Sequence, residues 1–212
     1  MHGLAGGGDH RGLRLGDAMS LPTPYYDEAR ITIYCGDARD VDLLRVIGKI
    51  HTVITDPVWP NTSAGLQGGH CANHLFRTVC GHIVICCKPD RFAIHLGRDT
   101  DPRFLSGMPD DLPFFAVCWL DCAKPHPKGR LLAGIDIGYL FGQPPIARPG
   151  CHLIPGMYRD HSSDGKQADH PCPRKLSHVK WLIEKWTNPN DIVLDPFMGS
   201  GTTLRAAKDL GR

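Results

Sequence analysis

Apolar residues recur along this chain in two rhythms. Ile31-Thr32-Ile33-Tyr34-Cys35 is β-branched and aromatic and is stopped by Gly36-Asp37, which predicts a strand ending in a turn. From Val41 to Ile47 the spacing becomes helical and predicts a short helix. Thr52-Val53-Ile54-Thr55 predicts a second strand, broken by Asp56-Pro57. Apolar runs at Ile83–Cys87, Phe114–Leu120 and Ile135–Phe141 predict three more strands. Leu176, Val179, Leu182, Ile183 and Trp186 return to helical spacing, giving a helix over about Lys175 to Trp186 that stops before Asn188-Pro189. Asp191–Leu194 predicts a last strand, which runs through a glycine-rich turn into a helix reaching Leu210. Strands alternating with helices indicate an α/β fold with a largely parallel sheet.

Two stretches break the rhythm. Residues 1–24 carry Gly6-Gly7-Gly8 and scattered charge and read as a disordered arm, leaving one domain over 25–212. Residues 142–169 shift to Pro, Gly, His and charge and read as a variable loop, long enough to be functional. A net charge of +2 does not announce a nucleic-acid binder, although it leaves a basic face open. The first twenty residues lack the apolar core of a secretory leader, and no apolar run approaches the roughly 20 residues of a membrane span. The nine cysteines are therefore expected to be reduced, in a cytoplasmic chain with no membrane partner.

Two turns carry candidate chemistry. After the last strand comes Asp195-Pro196-Phe197-Met198-Gly199-Ser200-Gly201-Thr202-Thr203. Ligands in open α/β sheets sit beyond the carboxyl ends of strands. Gly199 and Gly201 let the backbone pass close to a ligand, the helix start offers free N–H groups to a carboxylate, and Asp195 suits an ammonium group. A plain tight turn, with Asp195 and Thr202 as helix caps, is the bland alternative. A phosphate-binding loop is excluded, because no Gly-Lys-Ser/Thr follows. The second turn is Asp56-Pro57-Val58-Trp59. The exocyclic amine of a nucleobase is a poor nucleophile, since its lone pair is delocalised into the ring. Two acceptors on its N–H groups free that pair: the Asp56 carboxylate and the Pro57 carbonyl can supply them. Proline stiffens the turn, and Trp59 can stack on a base extruded from the duplex. The bland alternative is a strand-ending turn followed by a buried Trp.

The nine-residue glycine turn closely resembles the S-adenosylmethionine-binding motif of DNA amino-methyltransferases. Asp56-Pro57-Val58-Trp59 resembles the Asp-Pro-Pro-Tyr/Phe/Trp catalytic motif of the same family, with Val58 where the second proline usually stands. His170-Pro171-Cys172-Pro173-Arg174-Lys175-Leu176 resembles its His-Pro-Thr-Gln-Lys-Pro-Leu segment, keeping His170, Pro171 and Leu176 with Arg174 in the basic position. Gly36-Asp37 resembles the segment near the cofactor adenine. The order of these pieces is that of the β-type, circularly permuted members. The resemblance implies a Rossmann-like methyltransferase sheet with flanking helices. It implies S-adenosylmethionine held by Asp37, His170, Asp195, Phe197, Gly199, Ser200, Gly201 and Thr202, with Asp56, Pro57 and Trp59 catalytic. Double-stranded DNA is the implied partner, often in restriction-modification or phage protection. Asp rather than Ser at the first catalytic position favours adenine N6 over cytosine N4. Residues 142–169 fall where the family places target recognition, with Arg148, Arg159 and Lys166 as candidate phosphate contacts.

In the family another strand, ending in an acidic residue that holds the cofactor ribose, follows the glycine-turn helix and lies between the glycine-turn strand and the Ile31 strand. The chain ends at Leu210-Gly211-Arg212, so a C-terminally truncated sheet is expected, with either a gap or direct pairing of those two strands. A homodimer or a completing chain would then be the further partner. The rival readings are a catalytically impaired DNA-binding fragment, a methyltransferase acting on RNA or protein, and a zinc protein. The zinc reading rests on His70-Cys71, His74, Cys80, His82 and Cys86-Cys87, but these lack the regular Cys-x2–4-Cys spacing of structural zinc sites, and no metal is expected.

Overall fold

The computed structural model describes residues 22–60, 68–97, 100–150, 152–159 and 174–212. The expected arm therefore lies almost wholly outside the described residues, as does His170. In chain order the elements are β1 (Tyr26–Glu28), β2 (Ile31–Ile33), α1 (Val41–Ile47), β3 (Thr52–Thr55), α2 (Ala72–Cys87), β4 (Arg91–Leu96), β5 (Phe114–Lys128), β6 (Leu131–Gly142), β7 (Met157–Tyr158), α3 (Leu176–Trp186), β8 (Val193–Leu194) and α4 (Thr202–Asp209). Six strands form one sheet in the order β7-β5-β6-β4-β3-β8.

Side-chain alternation along the central strands builds a core on each face. Val53 of β3 and Phe92, Ile94 and Leu96 of β4 point to one face, where they pack on Leu44 of α1 and on Phe76, Val79 and Ile83 of α2. Ile54 and Ala93 point to the other, against Val179, Leu182, Ile183 and Trp186 of α3 and Ala206 of α4. The result is a sheet between two helix pairs, α1–α2 and α3–α4, a Rossmann-like α/β sandwich. Trp186 fastens α3 to the sheet, its indole N–H donating to the Phe92 carbonyl at 2.9 Å.

Two expectations need correction. Ile83–Cys87 is not a strand but the last turns of α2, whose buried positions 72, 76, 79, 80, 83 and 87 follow helical spacing. The strand of that region is β4, which lies next, and all six of its residues are buried. It went unpredicted because Arg91 and His95 interrupt its apolar pattern. The sheet is parallel only around β3, which pairs in parallel with β4 and β8, and in the short β5–β7 ladder. β6 is antiparallel to both β4 and β5, because β5 and β6 are joined as a hairpin. Of the two arrangements expected for the Ile31 strand, direct pairing with β8 is not found among the described residues: β2 forms a separate antiparallel hairpin with β1. A cleft of about 150 Å³, lined by Ile31, Thr32, Ile192 and Val193, separates β2 from β8.

A buried ion pair anchors the start of β8. Arg91 Nη1 donates to Asp191 Oδ2 at 2.8 Å, and both side chains are under 10% exposed. The same oxygen accepts the Asn188 amide at 2.8 Å, while Arg91 Nε donates to the Gln143 carbonyl at 2.9 Å. One guanidinium thus joins β4, the chain after β6 and the turn leading into β8. No helix among the described residues is long and apolar enough to cross a membrane.

Candidate active site

The two chemically loaded turns are neighbours because their strands are. β3 and β8 run parallel, with Val53 opposite Leu194, so both strands deliver their following residues to the same edge of the sheet. Asp56, Pro57, Val58 and Trp59 from one turn, and Asp195 through Ser200 with Thr202 from the other, line a single cavity of about 370 Å³. Val58 and Phe197 also pack against the α1–α2 core, which holds each turn from below.

The glycine turn has the geometry its sequence suggests. Gly199 and Gly201 adopt φ of 50° and 80°, a left-handed conformation that side chains disfavour. The Gly201 amide donates to the Met198 carbonyl at 2.7 Å, and α4 begins at the next residue. Asp195 anchors the turn: its Oδ1 accepts the Thr55 hydroxyl at 2.6 Å and the Phe197 amide at 3.1 Å. Loss of hydration raises the Asp195 pKa to about 6, and the Asp56 carboxylate adds to the rise, while the bonds from Thr55, Thr203 and Phe197 oppose it. Such a group is a poised acceptor for a cation. A carboxylate facing the cavity, bare backbone at Gly199 and a phenyl ring form a set that fits the ammonium, carboxylate and sulfonium-bearing body of S-adenosylmethionine, while Gly201 shapes the turn from outside that cavity.

The turn at 56–59 carries a partner that sequence reasoning did not assign. Arg174, just before α3, donates from Nε to Asp56 Oδ2 and from Nη2 to Oδ1, each at 2.7 Å. Its Nη1 donates to Asp136 Oδ2 at 3.2 Å, and its guanidinium carbon lies 5.3 Å from the Trp59 ring centroid. Burial works against the Arg174 charge, but Asp56 and Asp136 more than offset it, so the guanidinium pKa rises further. Asp136 Oδ2 also meets His95 Nε2 at 3.3 Å. Burial opposes ionisation of Asp136, yet His95 and Arg174 hold its pKa well below the usual carboxylate range. These residues come from β3, β4, β6 and the start of α3. No spacing in the sequence could have joined them; the unexplained polar residues within apolar strands, His95 and Asp136, were the available signal.

Other expected residues fall elsewhere. Asp37 is exposed between β2 and α1, where its carboxylate takes the Arg39 backbone amide and guanidinium; these bonds lower its pKa to about 2, and it does not line the cavity. Arg148 donates to the Thr187 and Glu184 carbonyls at 3.0 and 2.8 Å, closing the end of α3 rather than facing out as a free phosphate contact. Arg159 is exposed, and Lys166 lies outside the described residues. The Cys/His run proposed for zinc is spread over α2 and its approach. Cys80 and Cys87 are buried, and loss of hydration raises their thiols to about 12 and about 11, as for small apolar side chains. Among the described residues the one His/Cys/Asp/Glu group close enough to share an ion is His95, Asp136 and His178, which does not overlap that run.

Comparison with known proteins agrees with this geometry. The DNA methylase family (N6/N4 methyltransferases) matches residues 48–212. YubD of Escherichia coli (strain K12), a protein named as a methylase, is 51% identical over 167 residues, spanning 76% of this chain and 72% of its own. The solved M1.HpyAVI complex with S-adenosylmethionine superposes with a TM-score of 0.61 at 23% identity, over 84% of this chain and 88% of that one. The PvuII DNA methyltransferase, described as cytosine-N4-specific, gives the same score at 21% identity, over 84% and 78%. A matched profile over most of the chain, both motif turns on one cavity and a shared fold make this chain a member of the N6/N4 DNA methylase family, whose methyl donor is S-adenosylmethionine.

Proposed function

We propose that this chain transfers a methyl group from S-adenosylmethionine to the exocyclic amine of a base extruded from duplex DNA, with adenine N6 preferred to cytosine N4. The observation that carries this reading is the single cavity bordered by both turns. S-adenosylmethionine supplies an electrophilic methyl group on a sulfonium. This chain's residues do the rest. Asp195 takes the ammonium end, and Gly199, Ser200, Gly201 and Thr202 line the backbone curve beside it, with Phe197 against the apolar body. Asp56 and the Pro57 carbonyl accept the two amine N–H groups. As the C–N bond forms, the donor's C–S bond would break and leave a neutral thioether; the amine nitrogen becomes cationic, and the Asp56 carboxylate stabilises that charge until one of its protons passes to water. Trp59 stacks on the base and holds the amine in line. The preference for adenine rests on Asp rather than Ser at position 56; the shared fold does not favour either base.

The test is incubation with mixed-sequence duplex DNA and methyl-labelled S-adenosylmethionine, followed by digestion and mass identification of nucleosides. N6-methyladenine is the expected product. N4-methylcytosine would overturn the choice of base, and label in RNA or protein alone would overturn the substrate.

Asp195 makes cofactor binding pH-dependent. An ammonium prefers the ionised carboxylate, whose pKa is about 6 in the free protein. Affinity is therefore expected to be flat near pH 7 and to fall below about pH 6, by up to roughly tenfold per pH unit. Calorimetric titration between pH 5 and 7 measures this, and Asp195→Asn should flatten the profile at low affinity. A wild-type affinity independent of pH across that range would remove the Asp195–ammonium contact.

A further inference from the structure

The contacts Arg174 makes are those that the reading above gives to the target base, and the inference drawn here rests on that reading. A guanidinium is a planar fork of N–H donors. Here two of its N–H groups take both oxygens of Asp56, at 2.7 Å each, and its carbon lies 5.3 Å from the Trp59 ring centroid. An exocyclic amine approaching Asp56 beside Trp59 meets an acceptor already engaged on both oxygens. Arg174 also has an alternative partner. Its third nitrogen, Nη1, reaches Asp136 Oδ2 at 3.2 Å, and Gly97 flanks the guanidinium with no side chain. Leaving Asp56 therefore does not strand a charge, which would be costly in a site where the Arg174 side chain is only 14% exposed.

We propose that Arg174 is a placeholder for the target base: its guanidinium occupies the Asp56 acceptor beside Trp59 until a base displaces it onto Asp136. It is a positioning and selectivity residue. It keeps the acceptor carboxylate paired when no base is present, and it yields only to a group that donates to Asp56 in its place. Asp136 is the parking partner that makes the exchange cheap, and His95, 3.3 Å from the same Asp136 oxygen, braces it.

Binding of 2′-deoxyadenosine to the full chain, followed by calorimetry, tests this without requiring turnover. Arg174→Gln is expected to bind the nucleoside about tenfold more tightly, because the competent state no longer has to be uncovered. Adding Asp56→Asn should abolish that gain. Asp136→Asn should weaken binding about tenfold, by removing the parking partner, and this loss should vanish in the Arg174→Gln background. Guanidinium ion at low millimolar concentration should compete with the nucleoside in Arg174→Ala but not in the wild type. If Arg174 merely braces Asp56, removing it leaves nucleoside binding equal or weaker, the two losses add, and guanidinium restores methyl transfer to Arg174→Ala; any of these overturns the proposal. Where Arg174→Gln fails to fold, Arg174→Lys, which keeps the charge and loses the planar fork, takes its place and should likewise bind the nucleoside more tightly than the wild type. A wild-type chain that shows the binding pattern but methylates no base sinks the enzymatic reading alone. Nucleoside binding indifferent to position 174 sinks the placeholder alone.

Discussion

Asp56→Ala is expected to lower methyl transfer to duplex DNA by on the order of 10³-fold, with cofactor affinity and melting temperature close to those of the parent. The carboxylate acts mainly where charge develops, on the amine nitrogen as it takes the methyl group, so its loss should appear in kcat more than in KM. The variant also releases Arg174 from its two 2.7 Å bonds, but Asp136 still faces the guanidinium at 3.2 Å, so no unpaired buried charge results. Single-turnover labelling with product analysis checks the effect. A loss of tenfold or less would mean that Asp56 is not the amine acceptor and that the turn at 56–59 has only a structural role.

Asp191→Ala is expected to destabilise the fold by about 3–5 kcal/mol, as is usual when one partner of a buried pair is removed and the other charge remains. Asp191 is 8% exposed and holds both Arg91 and the Asn188 amide through one oxygen, so its loss strands a guanidinium against β4 and frees the turn into β8. Urea unfolding measures the cost. Because β8 carries the glycine turn, cofactor affinity should fall with stability, whereas an exposed control such as Asp42→Ala should change neither. Replacing Arg91 and Asp191 together by apolar residues of similar volume should recover most of the stability. A single variant that melts within about 1 kcal/mol of the parent would show that water reaches the pair and that β8 is held elsewhere.

The sequence made the two halves of the site legible to different depths. β3 and the turn after it could be read directly, since a β-branched run is broken by Asp56-Pro57 and the following chain carries its own chemistry. The turn before α4 was readable for the same reason: Gly199 and Gly201 are needed at positive φ. Local chemistry is visible in local sequence. What connects the halves is not local. The chain Asp56–Arg174–Asp136–His95 draws on four separate elements, and only the fold brings them together. The α2–β4 region misled for a physical reason. Ile83–Cys87 is apolar enough for a strand, yet its residues continue a helical spacing that starts at Ala72, and this spacing shows only over the longer window. β4 was hidden because its polar residues are buried and paired, Arg91 with Asp191 and His95 with Asp136, so that residues which look like surface lie in the middle of the sheet. The pairing of β2 with β1, rather than with the main sheet, also carried no signal in Ile31–Ile33, whose alternation suits either edge.

The two-rung ladder between β3 and β8 has a consequence for how this site can vary. Thr52 opposite Val193 and Val53 opposite Leu194, with the Thr55–Asp195 hydrogen bond beyond them, set the offset between the turn that would present a base and the turn that would present a methyl donor. One residue of strand advances the chain by about 3.3 Å. Misplacement of about 1 Å can already cost a hundredfold in rate. Single-residue insertions or deletions between Asn190 and Asp195 should therefore be among the least tolerated length changes in the chain, whatever residue is added. Insertions at Gly129-Arg130, in the exposed turn between β5 and β6, leave that offset unchanged. The separation of donor and acceptor is thus a count of backbone steps before it is a matter of side-chain chemistry.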